Sequence, residues 1–346
     1  MRHAPHADMP RLSICIATFN RGAFIAETLD SIVPQLAPEI ELVIVDGAST
    51  DATREVVERY AARHPRIRYL RESENSGIDA DYDKAVGYAT GEYCWLMTDD
   101  DLMNAGAVAR VLEALGDDPD LVVVNAQVCN VDLSRPLMDR FLDFAEDRSY
   151  PNGSERFFTE VANYLSFIGA VVIRRALWLE RDRASFYGTL FIHVGVIFQA
   201  PLPGPIQVLA APLIRIRYGN AMWTSRGFEV WMFKWPGLIW SFAYPEAAKA
   251  AICAKEPWKS FRKLVHSRGI GSYSMTEFAR LIAGTGDRRH VRRARWVARM
   301  PGRAANAISG LYCLCVNRQA RATAFDLARS PHSTWLSRLA ARSLET

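Results

Sequence analysis

Asp99, Asp100 and Asp101 stand in a row after Thr98, which ends the apolar run Tyr93–Met97. Adjacent carboxylates repel one another unless a cation or water compensates them. Mg²⁺ or Mn²⁺ is commonly held by one or two carboxylates together with substrate phosphates. Asp100 and Asp101 are therefore candidate metal ligands, with Asp99 beside the bound molecule. The plainer reading is an acidic helix cap, but the place at the end of an apolar strand favours the metal. A second polar group, residues 46–51, closes the apolar run 40–45. Asp46 can accept hydrogen bonds from a pyrimidine base or a ribose, and Gly47 lets backbone approach a ligand closely. Asp51 reads as the cap of the next helix. A third group, Thr18-Phe19-Asn20-Arg21-Gly22, ends the run that starts at Leu12.

Three polar groups at the ends of three apolar runs ask for a scaffold that aligns them. Phe24, Ile25, Leu29, Ile32 and Val33 predict a helix over 23–36, stopped by Pro38; Val56, Val57 and Tyr60 predict another over 52–63. Further strands are expected at 67–70, 93–97, 121–131 and 170–173, with helices at 81–89 and 105–115. Strands that alternate with helices, each strand a continuous apolar run, form a mainly parallel sheet covered on both faces. Such sheets bind ligands at the carboxyl ends of their strands, where the three polar groups stand. From about Phe228 the chain turns helical and rich in Trp, Arg and Ala. The expected division is 11–225 for the α/β domain and 226–346 for a helical C-terminal region.

Hydrophobic residues make up 49% and charged residues 23% of the 346, which suits a globular chain with a sizeable core rather than a disordered one. Cys15, Cys94, Cys129, Cys253, Cys313 and Cys315 show no CxxC pair or metal spacing, so buried free thiols in a reducing cytoplasm are expected. Residues 1–10 lack the apolar core of a secretory signal, and no apolar run is long enough to span a membrane. The net charge of +4 is unevenly placed: Arg288, Arg289, Arg292, Arg293, Arg295, Arg299 and Arg303 have no acidic residue among them. A basic stretch followed by the apolar run 305–316 fits a helix lying on an anionic membrane, although a charge run also serves as a plain solvated face. No nucleic-acid motif accompanies it, so nucleic acid is not an expected partner.

The runs Ser13-Ile-Cys-Ile-Ala-Thr-Phe-Asn-Arg21 and Val43-Ile-Val-Asp-Gly-Ala-Ser-Thr-Asp51, followed by the acidic strand end, resemble family 2 glycosyltransferases of the GT-A fold over about residues 11–115. Asn75-Ser-Gly-Ile-Asp-Ala-Asp-Tyr-Asp83, Gly91-Glu-Tyr-Cys-Trp-Leu-Met-Thr-Asp-Asp-Asp101 and Gly219-Asn-Ala-Met-Trp223 are similar to the abequosyltransferase-type subgroup. The resemblance implies a Rossmann-like domain, a nucleotide-sugar donor, and Mg²⁺ or Mn²⁺. It also implies inverting transfer to a lipid-linked saccharide in O-antigen or other surface-polysaccharide assembly, at the cytoplasmic face of the inner membrane. The subgroup implies a CDP-activated dideoxyhexose such as abequose; UDP-, GDP- and dTDP-sugars stay open. Carried over by position, Thr18, Asn20 and Arg21 lie in the loop that meets the nucleotide, and Asp46 with Gly47 at the base. Asp79 and Asp81 lie near the diphosphate and ribose. Asp100 matches the last carboxylate of the family's DxD motif, and Thr98 departs from its first.

An inverting enzyme needs a base for the acceptor hydroxyl, and the Glu-Asp pair that usually supplies it is missing here. His193 is the candidate, since an ordinary histidine pKa of about 6.5 suits proton abstraction. A lone histidine among apolar residues also reads as packed core, and Asp182 is the other option. Arg217 and Arg226 are expected either to clamp the diphosphate or to lie on the surface. Trp223 is expected to stack on a sugar or in the core. Trp231, Phe233, Trp235, Trp240 and Phe242, interrupted by Pro236-Gly237, predict a helix–turn–helix or a wall toward the acceptor lipid. Two rivals remain: a sugar-nucleotidyltransferase, whose Gly-rich basic loop is poorly matched, and a catalytically inactive nucleotide-binding GT-A scaffold.

Overall fold

All seven residues of β1 (Leu12–Thr18) and of β2 (Ile40–Asp46) are buried, because neighbouring strands flank them and helices cover both faces. Each fully buried Leu, Ile or Val among them contributes about 1.5–3 kcal/mol. The computed structural model describes residues 9–220, 226–316 and 321–343. β1 and β2 run parallel, with Leu12 opposite Ile40 and Thr18 opposite Asp46. β3 (Ile67–Arg71) lies parallel outside β2, and β4 (Tyr93–Met97) lies parallel on the other side of β1. The direction of strand addition therefore reverses between β1 and β4.

Past β4 the sheet becomes mixed. It adds β5 (Leu102–Met103), β6 (Leu121–Cys129), β7 (Pro136–Met138), β8 (Arg148–Tyr150), β9 (Val171–Arg174) and β10 (Ile206–Arg217). The main order is β3-β2-β1-β4-β9-β6-β10-β5. β9 enters antiparallel between β4 and β6, while β10 runs parallel to β6. Helices α1 (Ile25–Ile32), α2 (Thr53–Ala61), α3 (Ile78–Tyr88), α4 (Ala107–Ala114), α5 (Glu155–Val161), α6 (Arg175–Glu180) and α7 (Ile192–Phe198) complete this part. The first helix is shorter than its apolar spacing suggests. Pro34 has no N–H for an α-helical bond, and the chain tightens into a 3₁₀ turn at Val33–Gln35.

The described residues fall into two units, Met1–Arg217 with Phe242–Ala248 and Tyr218–Ser241 with Lys249–Thr346. The division comes earlier than residue 225, and 242–248 returns to the first unit through aromatic packing. There Tyr244 stacks on Phe158 with centroids 3.9 Å apart, and Phe242 lies 6.0 Å from Phe198. The second unit holds α8 (Gly227–Glu229), α9 (Trp235–Ser241), α11 (Phe261–Ile270), α12 (Met275–Glu277), α13 (Arg288–Arg299), α14 (Gly302–Cys315), α15 (Arg321–Arg329) and α16 (Trp335–Ser343), with α10 (Glu246–Ile252) at the boundary. Its core gathers Phe228, Trp258, Leu264, Tyr273, Phe278 and Val297. Pro236-Gly237 does not break the aromatic stretch. α8 passes through a π turn at Val230–Lys234 directly into α9, so Pro236 lies inside one continuous helical stretch and the π turn marks the irregularity there. Among the described residues no helix is long and apolar enough to cross a membrane.

Candidate active site

The loops after β1 and β2 are laced together. Gly47 N–H donates to the Thr18 carbonyl at 2.9 Å, and Asn20 N–H to Ser49 Oγ at 2.9 Å. Asn20 Oδ1 accepts from Thr50 N–H at 2.8 Å, Arg21 N–H donates to Thr53 Oγ1 at 2.7 Å, and Gly22 N–H to Asp51 Oδ2 at 3.0 Å. The lacing needs unusual backbone: Asn20 and Ala48 sit at φ +55° and +62°. A Cβ on Gly22 would lie 2.9 Å from the backbone of Ala52 and Thr53, so only glycine fits there. Asn20 is thus a loop organiser. Asp51 also bonds the Thr53 N–H at the start of α2, close to the expected cap.

This lacing aims Arg21 across the gap between β1 and β4. Its Nε lies 3.3 Å from Asp99 Oδ1 and its Nη2 3.5 Å from Asp100 Oδ2. Asp99 is pushed up to about 7, first by burial and then by Asp100, with Arg21 opposing. Asp101 faces elsewhere. Its Oδ2 accepts from the Thr98 hydroxyl at 2.5 Å and its Oδ1 from Arg217 N–H at 2.7 Å. Burial first, and Asp100 second, push it up to about 8. Both oxygens are thus bonded inside the protein, and Asp101 braces β4 against β10. Arg217, expected at the diphosphate, is held by its own neighbours. Its guanidinium donates to the Asp100 carbonyl (2.9 Å), the Val131 carbonyl (2.7 Å) and Glu27 (2.8 Å). Among the described residues no three His, Cys, Asp or Glu side chains gather as a metal set. A Mg²⁺ or Mn²⁺ ion completed by substrate phosphates needs only one or two carboxylates, and Asp99 with Asp100 meets that requirement.

Asp46 is fully buried at the end of β2. Its Oδ1 accepts from Ser49 N–H at 2.8 Å and its Oδ2 from the Tyr69 hydroxyl at 2.6 Å. Burial and then Asp46 raise the Tyr69 phenol well above its ordinary range, so it stays a donor. A Cβ on Gly47 would stand 2.7 Å from Asp81 Oδ2, which explains glycine at this crossing. Asp81 bonds Ser76 at 2.6 Å, and burial raises its pKa. Asp79 does something the sequence did not suggest. Its two oxygens accept from Leu190 N–H at 2.8 Å and Ile192 N–H at 3.1 Å. One turn later Asp83 accepts from Trp178 Nε1 at 2.8 Å and from the Tyr187 hydroxyl at 2.5 Å, and it forms an ion pair with Arg183 at 2.8 Å. Two carboxylates spaced i,i+4 on α3 thus fasten the segment 178–192.

Residues 13–180 match the family model described as Glycosyl transferase family 2. The N-terminal unit is a family 2 glycosyltransferase domain. The glycosyltransferase is 26% identical to the Abequosyltransferase RfbV of Salmonella typhimurium, over 62% of this chain and 69% of that one. It is 29% identical to the GalNAc(5)-diNAcBac-PP-undecaprenol beta-1,3-glucosyltransferase of Campylobacter jejuni, over 54% of this chain and 60% of that one. The crystal structure of S. aureus TarS 1-349 superposes with a TM-score of 0.53 at 18% identity, covering 96% of this chain and 90% of that one, which establishes the GT-A fold. At the switch point of its sheet, between β1 and β4, the enzyme places Arg21, Asp99 and Asp100, the position where open α/β sheets bind ligands.

The glycosyltransferase keeps His193 in the second position of α7, 1% exposed. Nε2 lies 2.6 Å from the Leu165 carbonyl, and burial lowers the ring to about 4. At 1% exposure and against a backbone carbonyl, the imidazole occupies a packed position rather than an open one. Asp182 is spent on the turn at Ser185. Arg226 pairs with Glu229 at 3.7 Å within the second unit. Trp223 lies outside the described residues. Sequence reasoning passed over Tyr69, Asp83 and Phe24, whose ring lies between Arg21 at 5.9 Å and Arg217 at 5.3 Å. Strand register could have found Tyr69: Ile44 faces Tyr69 and Asp46 faces Arg71, so Tyr69 and Asp46 are diagonal neighbours on one face.

Proposed function

We propose that this glycosyltransferase is an inverting enzyme of surface-polysaccharide assembly. It moves a sugar from a nucleoside diphosphate to a lipid-linked saccharide at the cytoplasmic face of the inner membrane. The observation that carries the reading is Arg21 set against Asp99 and Asp100 at the switch point, beside the Asp46 loop. Similarity to an abequosyltransferase favours a CDP-activated dideoxyhexose such as abequose. The lipid-linked acceptor is favoured by similarity to a relative whose name specifies a PP-undecaprenol substrate.

Each residue has a place in this reading. The loop that begins at Asp46, held by Tyr69 and Ser49, meets the base or ribose, and the laced loops hold Thr18 and Gly47 against the nucleotide. Arg21 supplies positive charge where the diphosphate lies, in a recess where such a charge acts more strongly than in water. Asp100, with Asp99, would hold Mg²⁺ or Mn²⁺, which neutralises charge on the departing diphosphate when bound. Asp101 and Arg217 keep the end of β4 in position. Asp79 and Asp83 hold the segment that precedes α7.

Calorimetric titration with CDP, UDP, GDP and dTDP, with and without Mn²⁺, tests the reading. The expected result is metal-dependent binding with CDP preferred, weakened at least tenfold by Arg21→Ala. If no nucleotide binds, the donor site is misplaced. Tight binding without transfer of any sugar would instead support the inactive scaffold.

A further inference from the structure

We propose that the second unit docks on an anionic membrane surface through α13 and the outer face of α14. The idea rests on the membrane-bound acceptor proposed above, but its test needs neither donor nor turnover.

α13 turns Ala294, Val297 and Ala298 inward and exposes Arg288, Arg289, Arg292, Arg295, Arg299 and Trp296. Its twelve residues include no acid. Like charges stand at i,i+4 in Arg288/Arg292 and Arg295/Arg299, an arrangement that repels itself without outside compensation. Asp287, the acid that caps the helix, is already paired with Lys259 at 3.1 Å and His290 at 2.8 Å. The row therefore offers its charge outward.

Apolar surface lies beside it. Trp296, 59% exposed, stacks on Phe261, 43% exposed, with centroids 6.2 Å apart. Phe261 opens α11, which packs closely on α14: a Cβ on Gly269 would lie 2.9 Å from Asn306 N. The neighbouring Arg262 donates to the Tyr312 hydroxyl at 2.7 Å, joining the start of α11 to α14. α14 buries Gly302, Ala305, Asn306, Ser309, Gly310 and Cys313. Its outer row, Ala304, Ile308, Leu311 and Cys315, is exposed and contains no charge, with Ile308 and Leu311 about half exposed. A solvent-facing helix normally puts polar residues there. Among the described residues, eight of the twelve exposed large apolar side chains belong to this unit, so the pattern is not general to the molecule.

Arginines that reach headgroup phosphates, aromatic rings at headgroup level and aliphatic side chains entering the acyl boundary are what an interfacial surface requires. Charge complementarity selects an anionic bilayer as the occupant.

The test is flotation of the full chain with vesicles of phosphatidylglycerol and phosphatidylethanolamine, against vesicles of phosphatidylcholine. The chain should float with the anionic vesicles alone and be released by salt. Replacing Arg288, Arg292 and Arg299 by Gln should weaken partitioning about fivefold per residue, on the order of a hundredfold together. Ile308→Ser with Leu311→Ser should weaken it as well, with unchanged melting curves and unchanged turnover on a water-soluble acceptor. The proposal is overturned if the chain stays in solution at low salt, or floats equally with phosphatidylcholine. It is also overturned if light scattering shows a dimer that Ile308→Ser and Leu311→Ser split, since a second copy then covers the face. Flotation without transfer activity would uphold the docking face and count against the transferase reading alone.

Discussion

Replacing Asp79 by Asn tests whether α3 fastens the segment leading into α7. The carboxylate is buried and accepts from Leu190 N–H at 2.8 Å and Ile192 N–H at 3.1 Å. An amide keeps one acceptor oxygen and turns an NH₂ toward the other backbone N–H. One charge-assisted bond, about 1.5–3 kcal/mol, is lost, and a buried donor is left unsatisfied at about 1–3 kcal/mol. Leu190 sits at φ +73°, and letting it relax returns on the order of 1 kcal/mol. The net loss should be about 1.5–5 kcal/mol. Urea unfolding measures it, and hydrogen exchange at the Leu190 and Ile192 amides locates it. Asp83→Asn should cost less, because Asp83 is less buried than Asp79 and one of its partners, Tyr187, is 45% exposed. The double variant should lose less than the sum, since both carboxylates fasten one segment. An Asp79→Asn protein with wild-type urea midpoint and wild-type exchange at these two amides would refute the reasoning.

Asp100→Ala should abolish turnover while the melting curve stays near wild type; near-normal activity would remove the role assigned to this carboxylate. Gly22→Ala should cost about 1–3 kcal/mol by pressing a methyl against unyielding backbone, and should weaken nucleotide binding because the laced loops part; calorimetry and melting together check this. His193, lowered by burial to about 4 in the fold, contributes stability present above its unfolded pKa and lost as pH falls from 6.5 through 4, at most about 3 kcal/mol. His193→Gln should flatten that acid loss, and a pH dependence unchanged by the substitution would contradict it. Asp326, raised by burial to about 6 while bonded to Tyr218 at 2.8 Å, has the opposite sign: its contribution is full below pH 3.8 and lost as pH rises through 6. Asp326→Asn should therefore stabilise the protein at pH 8 by up to about 3 kcal/mol and leave it unchanged near pH 3.5, as thermal melts across pH will show.

What was legible in the sequence follows from how local each signal is. β1 and β4 were found to the residue because a strand buried on both faces is a continuous apolar run. β10 was missed because Gln207, Pro212 and Arg215 interrupt its pattern, and its ladder to β6 shifts register around Pro212. The three polar strand ends were legible for the same local reason. Their division of labour was not, since a carboxylate reads alike whether it meets a ligand or braces a neighbour. Asp100 lies against Arg21, which the loop after β1 delivers, whereas Asp101, one residue on, is taken by the backbone of Arg217 at the end of β10. Asp79 differs from a ligand-binding aspartate only through Leu190 and Ile192, far along the chain. Buried hydrogen-bond capacity is mostly filled, so the question for each aspartate is which partner fills it. Where the fold itself supplies both partners, as at Asp46, Asp79 and Asp101, the side chain holds the site together. Where the partner is a mostly buried cation at a strand end, such as Arg21, a phosphate can compete for it. On the function proposed above, Asp99 and Asp100 are then left for the metal that accompanies the phosphate. The site thus follows from long-range pairings that a motif names but cannot assign.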